Sequence, residues 1–495
     1  MNPTPAQQDT LNAAVWAACE ALRGALEPCL CRDLTVTLLF LKAISDAWQD
    51  RLEDCHRQHG AHPGLVEELL RNERFVLPAG AGFQALHAAR YQPGNGQRID
   101  RALQALEDAN PAKLRDLFRD LSFNTPALGD ESHKNDLLRR LLEAFAGLSL
   151  RAGRAGAACE FLLGRFAAQG HPGAGECHTA PEVALLLARL ADPQPGEQIC
   201  DPVCGSGALL AQCGRLVRQH GGSRRYALQG QELAASAWAL ARMNLFLHGE
   251  DNHRIEWGDT LRNPRLLDDD GRLQRFDVVV AHPPLGAQGW DAAAGAADPH
   301  GRFQRGLPPR TRADYAFLLH MLETLKPGTG RMAVVVPHGV LFRAAAEGQI
   351  RRRIVAENLL DAVIGLPEKL FHGTGIPAAV LVLRRNKRDD KVLFVDASRE
   401  FQQGKGRNRL RGQDLDRIVT ACAMRQSVPG HARLAGPDEI AAHGFNLHIP
   451  RYVQSGPAPA VADLATVRSE RQRLMGELAV LEGQIDGYLR ELGHG

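Results

Sequence analysis

The stretch "EQICDPVCGSGALLAQCGRLV", Glu197 to Val217, reads as a short strand, a glycine-containing turn and a helix. Gly205 and Gly207 permit a tight turn and let a ligand approach the backbone at the helix N-terminus. A Gly-x-Gly turn is weak information by itself. The acid ahead of it says more. Asp201 can accept hydrogen bonds from an amino group or from loop amides, and it is poorly placed for the phosphates of a dinucleotide.

The two strands that follow also end in acids. "YALQGQE" closes on Glu232, where α/β sheets put a carboxylate that grips ribose hydroxyls. "HRIEWGDT" carries Asp259, which can accept from an adenine amino group. Each acid alone reads better as a solvated loop residue. Three in succession, with glycines in the first turn, favour a nucleoside-containing cofactor. S-adenosylmethionine, with an ammonium group and no phosphate, suits Asp201. The next strand, "FDVVVAHPPLG" (Phe276 to Gly286), ends in a histidine and two prolines. Prolines remove backbone donors and fix φ, so this strand end is built for something other than a simple connection.

Outward from these motifs, β-like runs alternate with helical ones: "RMAVVVPHGV", "LLDAVIGLP", "AVLVLRRNK" and "KVLFVDAS" continue the series. Such alternation predicts an α/β fold, a mainly parallel sheet with helices on both faces, whose ligands sit at the carboxyl ends of the strands. Residues 1–150 lack strand-like alternation, and Leu34, Leu38, Leu41 and Trp48 fall at helical spacing, so an all-helical domain is expected there. The sheet domain is expected over 151–398 and a basic mixed segment over 399–456. The last unit, 457–495, starts with the linker-like "GPAPAVADL". Its Leu464, Val467, Arg471, Leu474, Leu478, Leu481, Ile485, Tyr488 and Leu492 recur at steps of three and four, a heptad seam for a partner helix, or for the helix's own domain.

The chain has 495 residues, 44% apolar and 23% charged, with a net charge of +2. That balance is too even to announce a nucleic-acid partner, so basic surface must come from local clusters. The densest apolar run, from Leu34, meets Lys42 and Asp46 before it reaches membrane length. "MNPTPAQQDT" lacks the basic and apolar parts of a signal peptide, and the ten cysteines form no C-x-x-C pair. Reduced thiols, no metal site and a cytoplasmic location are the expectation.

In the order "GECHTAPEV", "DPVCGSG", "GQE", "GDT", "DVVVAHPPLG", the chain resembles amino-group DNA methyltransferases. More narrowly it resembles the modification (M) subunit of type I restriction–modification systems, over almost its whole length. "LLFLKAISDAW", "RADYAFLLHMLETLKPGTGRMAVVVPHGVLF", "LDAVIGLPEKLF", "FVDASREFQQGKGRNRL", "NLHIPRYV" and the closing helix carry that likeness. The resemblance implies a Rossmann-like methyltransferase sheet between an N-terminal helical domain and a C-terminal coiled-coil helix. It further implies transfer of a methyl group from S-adenosylmethionine to N6 of adenine in double-stranded DNA after base flipping. By the same resemblance the cofactor contacts fall on Glu176, Cys177, His178, Thr179, Ala180 and Pro181, on Asp201, Pro202, Gly205, Ser206, Gly207 and Ala208, and on Glu232 and Asp259. His178 stands where the family has an aromatic residue, and the proline comes one place late.

In the family the catalytic loop reads Asn-Pro-Pro-aromatic. The Asn oxygen and the first proline's carbonyl accept the two amino protons, and the aromatic stacks on the flipped base. Here it is His282, Pro283, Pro284 and Leu285. A neutral imidazole offers one acceptor nitrogen and a protonated one offers none. Leu285 lacks a π-face, and lost stacking costs about 1–3 kcal/mol. Two readings follow: His282 is a neutral acceptor in an active enzyme, or the subunit binds DNA and cofactor without transfer. The first predicts that turnover falls below about pH 6.5, the ordinary histidine pKa. Transfer to a protein or RNA amino group shares the loop logic, but the terminal matches speak against it. Arg302, Arg305, Arg310 and Arg312, in a Gly/Pro-rich segment, are candidates for DNA phosphates. The partners implied by the resemblance are a specificity (S) subunit, a restriction (R) subunit and a second M subunit.

Overall fold

The computed structural model describes residues 5–22, 24, 26–150, 154–169, 179–222, 224–371, 375–404, 406–454 and 464–491. Its sheet has nine strands: β1 (Gln198–Asp201), β2 (Ala227–Glu232), β3 (His253–Trp257), β4 (Val278–Ala281), β5 (Arg331–Pro337), β6 (Leu360–Gly365), β7 (Ala378–Arg384), β8 (Val392–Asp396) and β9 (Ala432–Ala435). They lie in the order β3-β2-β1-β4-β5-β7-β6-β8-β9. The neighbours from β3 to β5 are parallel, β7 is antiparallel to both β5 and β6, and β8 is parallel to β6. Strand order runs outward from β1 in one direction and from β4 in the other. Their boundary is a topological switch point, the place where α/β sheets open a crevice.

Both faces of the sheet are covered, as its near-continuous apolar strands require. Ile199, Val278, Val280, Ala333 and Val335 point to one face, into a core shared with the helices Pro181–Ala191 and Ala208–Gln219. Cys200, Val279, Ala281, Met332 and Val334 point to the other, against the helix Asp314–Glu323. Alternation of period two decides which face each strand residue serves.

The helical layer extends past the expected boundary at 150. Helix Arg154–Ala167 packs on the long helix Pro28–His59, and both share a core with Ala239, Leu240, Met243, Phe246 and Leu247 of the sheet domain's helix Ala235–Leu247. Helix Pro28–His59 is buried almost all round from Cys31 to Lys42, as befits a central helix. Segment 399–456 is also no separate unit. β9 pairs antiparallel with β8, helix Gly412–Met424 packs on Pro181–Ala191, and the Tyr452 ring stacks 3.7 Å from Phe394. Its basic composition concealed these apolar contacts.

Helix Leu464–Glu491 bears the heptad seam, and Leu474, Leu478, Leu481, Ile485 and Tyr488 are exposed on it. The side chains of Leu464 and Val467, and Leu492 altogether, fall outside the described residues. No described helix is long and apolar enough to cross a membrane, and the nine described cysteines are free.

Lys42 and Asp46 form a buried pair at 2.6 Å, and the Lys42 ammonium also donates to the Leu148 carbonyl at 2.9 Å. Asp46→Ala leaves that ammonium buried without its counter-charge. A loss of about 3–5 kcal/mol is expected in urea unfolding, with much of it recovered in the doubly apolar Lys42→Met, Asp46→Leu variant.

Candidate active site

The glycine turn after β1 is shaped by positive φ at Gly205 (52°) and Gly207 (73°). A Cβ on Gly207 would come within 3.2 Å of the Ala241 carbonyl oxygen, so the turn lies tight against helix Ala235–Leu247. The Gly207 amide donates to Cys204 O at 2.8 Å, the Cys204 amide to Gln231 O at 3.1 Å, and Asn244 Nδ2 to the carbonyl of buried Ser206 at 2.9 Å. Ala208 then opens helix Ala208–Gln219. Pro202 contributes its carbonyl, which accepts the Thr260 hydroxyl.

The three acids stand at the carboxyl ends of three adjacent parallel strands, and Glu232 bonds directly to the glycine turn. Glu232 Oε2 accepts from Gly205 N and Oε1 from Ala234 N, both at 2.9 Å. Asp259 Oδ1 accepts from the amides of Leu261 and Arg262 at 2.8 and 3.1 Å. Asp201 is buried, and Val203 N donates to its Oδ1 at 3.0 Å. Burial, opposed by that amide and reinforced by the charge of Glu232, pushes the Asp201 carboxyl up to about 8. Such a group asks for a cation. The set of acceptors fits a cofactor that presents an ammonium, hydroxyls and an amino group. Leu233 and Trp257 add an exposed apolar edge beside Glu232 and Asp259, with Trp257 Nε1 donating to Leu233 O at 3.0 Å. Neither was singled out from the sequence, although an aromatic directly before "GD" at a strand's end was a usable signal.

At the end of β4, alternation sends His282 toward the same face as Val278 and Val280, where helix Pro181–Ala191 begins. Ala180 caps that helix and Pro181 occupies its first turn, which holds Thr179 just outside. Thr179 Oγ1 lies 3.2 Å from His282 Nδ1. The Phe371 ring lies 4.7 Å from the imidazole at 38°. His282 is half-buried, and burial lowers its pKa to about 4, so it is neutral at physiological pH. The expected fall in turnover near pH 6.5 is therefore corrected: desolvation moves that titration well down. Pro283 is buried, Pro284 exposed, and Leu285 packs partly into the apolar core. The loop is pinned by Gly286 N to Asp314 Oδ1 at 3.0 Å, and Arg343 donates to Asp314 Oδ2 at 2.6 Å. Nothing in the local sequence linked Phe371 or Asp314 to this loop.

Two of the four candidate DNA-binding arginines are otherwise engaged. Arg302 is buried, donating to the Thr260 and Leu261 carbonyls and to Asp298, and it ties the loop to the end of β3. Arg305 is paired with Glu323 and Glu357. Both expectations are corrected, because a guanidinium whose donors are committed inside the fold has none for phosphate. Arg310 and Arg312 are exposed. Glu176, Cys177 and His178 lie outside the described residues, and no metal-binding cluster occurs among the described ones.

A mixed, mainly parallel sheet with its switch point between an acid-rimmed glycine turn and a proline loop defines a Rossmann-like methyltransferase. The model of the N-6 DNA Methylase family matches residues 153–458, and that of the HsdM N-terminal domain matches residues 11–145. The chain belongs to this family, as a modification (M) subunit of the type I restriction–modification class. It is similar to the type I restriction enzyme MjaVII methylase subunit of Methanocaldococcus jannaschii, 32% identical over 404 residues, 77% of this chain and 68% of the relative. The HindI methylase subunit of Haemophilus influenzae is 28% identical over 459 residues, 87% of this chain and 98% of the relative. The crystal structure of a type I restriction-modification methyltransferase subunit from Streptococcus thermophilus superposes with a TM-score of 0.80 at 30% identity, covering 90% of this chain and 99% of that one.

The Asp201 carboxyl makes stability depend on pH. Its folded pKa, about 8, lies above the ordinary 3.8, so the folded state holds a proton that the unfolded state has lost. Stability falls as pH rises between those values, by about 1.4 kcal/mol per unit. Asp201→Asn should raise the unfolding midpoint of the cofactor-free protein by an amount that grows from pH 4 to 8 and then levels. A gain that does not vary with pH would contradict the assignment.

Proposed function

We propose that this subunit methylates N6 of adenine in double-stranded DNA, using S-adenosylmethionine, on a base flipped out of the helix into the crevice between β1 and β4. The observation that carries the reading is a neutral, half-buried His282 beside the Pro283 carbonyl, across the switch point from Asp201, Glu232 and Asp259. Asp201 would take the cofactor's ammonium. Glu232 keeps acceptor sites on both oxygens for ribose hydroxyls, and Asp259, whose Oδ1 is taken by loop amides, would accept from the adenine amino group through Oδ2. Thr179, Ala180, Pro181, Pro202 and the turn Gly205–Ala208 would border the same ligand. When bound, S-adenosylmethionine would supply an electrophilic sulfonium methyl with a thioether as leaving group, and the proton displaced from the amine would pass to water.

The chain's own task is to make that lone pair available. An exocyclic amine conjugated to a purine is a poor nucleophile. Two acceptors on its two N–H bonds, one on the His282 ring and one on the Pro283 carbonyl, draw the nitrogen out of conjugation. Neutrality of His282 matters twice, since imidazolium would lose its acceptor and would repel the sulfonium. Proline stiffness and the Asp314 anchor hold the loop before substrate arrives, a preorganisation effect.

Arg310 and Arg312 would hold phosphates beside the flipped base. The heptad seam of helix Leu464–Glu491 would engage a helix of the S subunit that chooses the target. An R subunit and a second M subunit would complete the assembly. A second reading, binding without transfer, is favoured by Leu285, whose side chain packs against the core and offers a base no ring.

Transfer of tritiated methyl to host DNA with the S subunit present separates the two. Wild type should be active, His282→Ala lower in kcat by about 10²–10³, and Asp201→Ala inactive. Activity gained only in His282→Asn would instead establish the second reading. The active enzyme should show no inflection near the ordinary histidine pKa of 6.5 that His282→Asn removes, since that group titrates near 4. For DNA, Arg310→Ala and Arg312→Ala should each weaken binding uniformly across sequences and reduce the salt dependence by about one unit of slope. An unchanged slope would place the phosphate contacts elsewhere.

A further inference from the structure

The loop's histidine creates a requirement that an asparagine does not. An amide oxygen is always an acceptor, whereas a neutral imidazole has one N–H and one lone pair, and either nitrogen can hold the proton. If the proton sits on Nε2, the ring turns a donor toward an amino group whose own hydrogens need acceptors. Only the form protonated on Nδ1 leaves Nε2 free to accept. We infer that Thr179 is a positioning residue that fixes this tautomer: its hydroxyl oxygen accepts the Nδ1 proton of His282, and the Nε2 lone pair is left for the target amino group. The inference rests on the methyl-transfer reading and deepens it.

The geometry supports that division of labour. Thr179 Oγ1 and His282 Nδ1 are 3.2 Å apart, although 103 residues separate them in sequence. Thr179 stands at the rigid start of helix Pro181–Ala191, whose Val183, Ala184, Leu186 and Leu187 are fully buried and which packs against β4 and β5. The hydroxyl is thus set by the sheet's core, as His282 is. On the imidazole's flank stands the Phe371 ring, which is buried and carries no polar atom. It limits rotation of the histidine ring without competing for either nitrogen. The ring's orientation is thus set by an apolar flank and one hydroxyl; that hydroxyl can accept from Nδ1 or donate to it, and only the accepting arrangement leaves the Nε2 lone pair for the amino group.

The test reads the tautomer directly. In the full chain labelled with ¹⁵N-histidine, long-range proton–nitrogen correlation at neutral pH distinguishes the two forms, and the His282 signals are those lost in His282→Asn. Wild type should hold the proton on Nδ1, Thr179→Val should shift it toward Nε2, and Thr179→Ser should restore it. A wild-type ring protonated on Nε2, or a Thr179→Val ring still protonated on Nδ1, overturns the inference. Kinetics give an independent arm. Thr179→Val should lower kcat by about tenfold or more in the His282 enzyme and add no further loss in kcat in the His282→Asn background. Equal losses in both backgrounds would make Thr179 a cofactor contact only and would overturn its role through His282. Absence of methyl transfer in wild type would defeat the methyl-transfer reading, while the spectra would still decide the tautomer.

Discussion

Everything at the crevice depends on the parallel pairing of β1 with β4, where Ile199 lies opposite Val278 and Cys200 opposite Val279. Because these two strands run side by side in parallel, the chain after Asp201 and the loop of His282 both leave the sheet at its carboxyl edge, on either side of the switch point, though 80 residues of chain lie between them. The helices that follow β1 and β4 turn away to opposite sides of the switch point, and a gap remains that neither can fill. Core packing on both faces makes the register hard to shift. A slip by one residue would exchange the buried sets of Val278 and Val279 and aim His282 at the wrong face.

Within that gap the electrostatics are complementary by design of position rather than by number of charges. Asp201 is held in a buried site where its charged form is costly, and Glu232 adds to the cost. Both features are liabilities for an empty protein and assets for one that binds an ammonium. His282, by contrast, is kept neutral by the same desolvation. One dry environment thus raises the acid and lowers the base, leaving a cation sought on the β1 side and a neutral acceptor presented on the β4 side.

Much of this was legible along the chain, for a physical reason. Strands buried on both faces are near-continuous apolar runs, as in β4, β5 and β7, and the β-like segments from "EQICD" to "KVLFVDAS" correspond to β1 through β8. The acids at strand ends and the proline loop are local signals, each carried by a few adjacent residues. β9 was not legible, because "ARLA" is short and lies in a segment whose basic residues mask its pairing with β8. The arginine cluster misled for a related reason. A guanidinium's role is set by its partners, and those of Arg302 and Arg305 lie on other elements, at Thr260, Leu261, Glu323 and Glu357.

From the residues alone come the class of fold, the family, and the departure from it at His282 and Leu285, since these reside in spacing and identity. What tertiary structure decided is the state of that histidine. Its neutrality follows from burial, its flank from Phe371, and its hydrogen bond from Thr179 at the head of a distant helix. A proton's position on an imidazole depends on what surrounds the ring in space, and no local pattern in the chain records that.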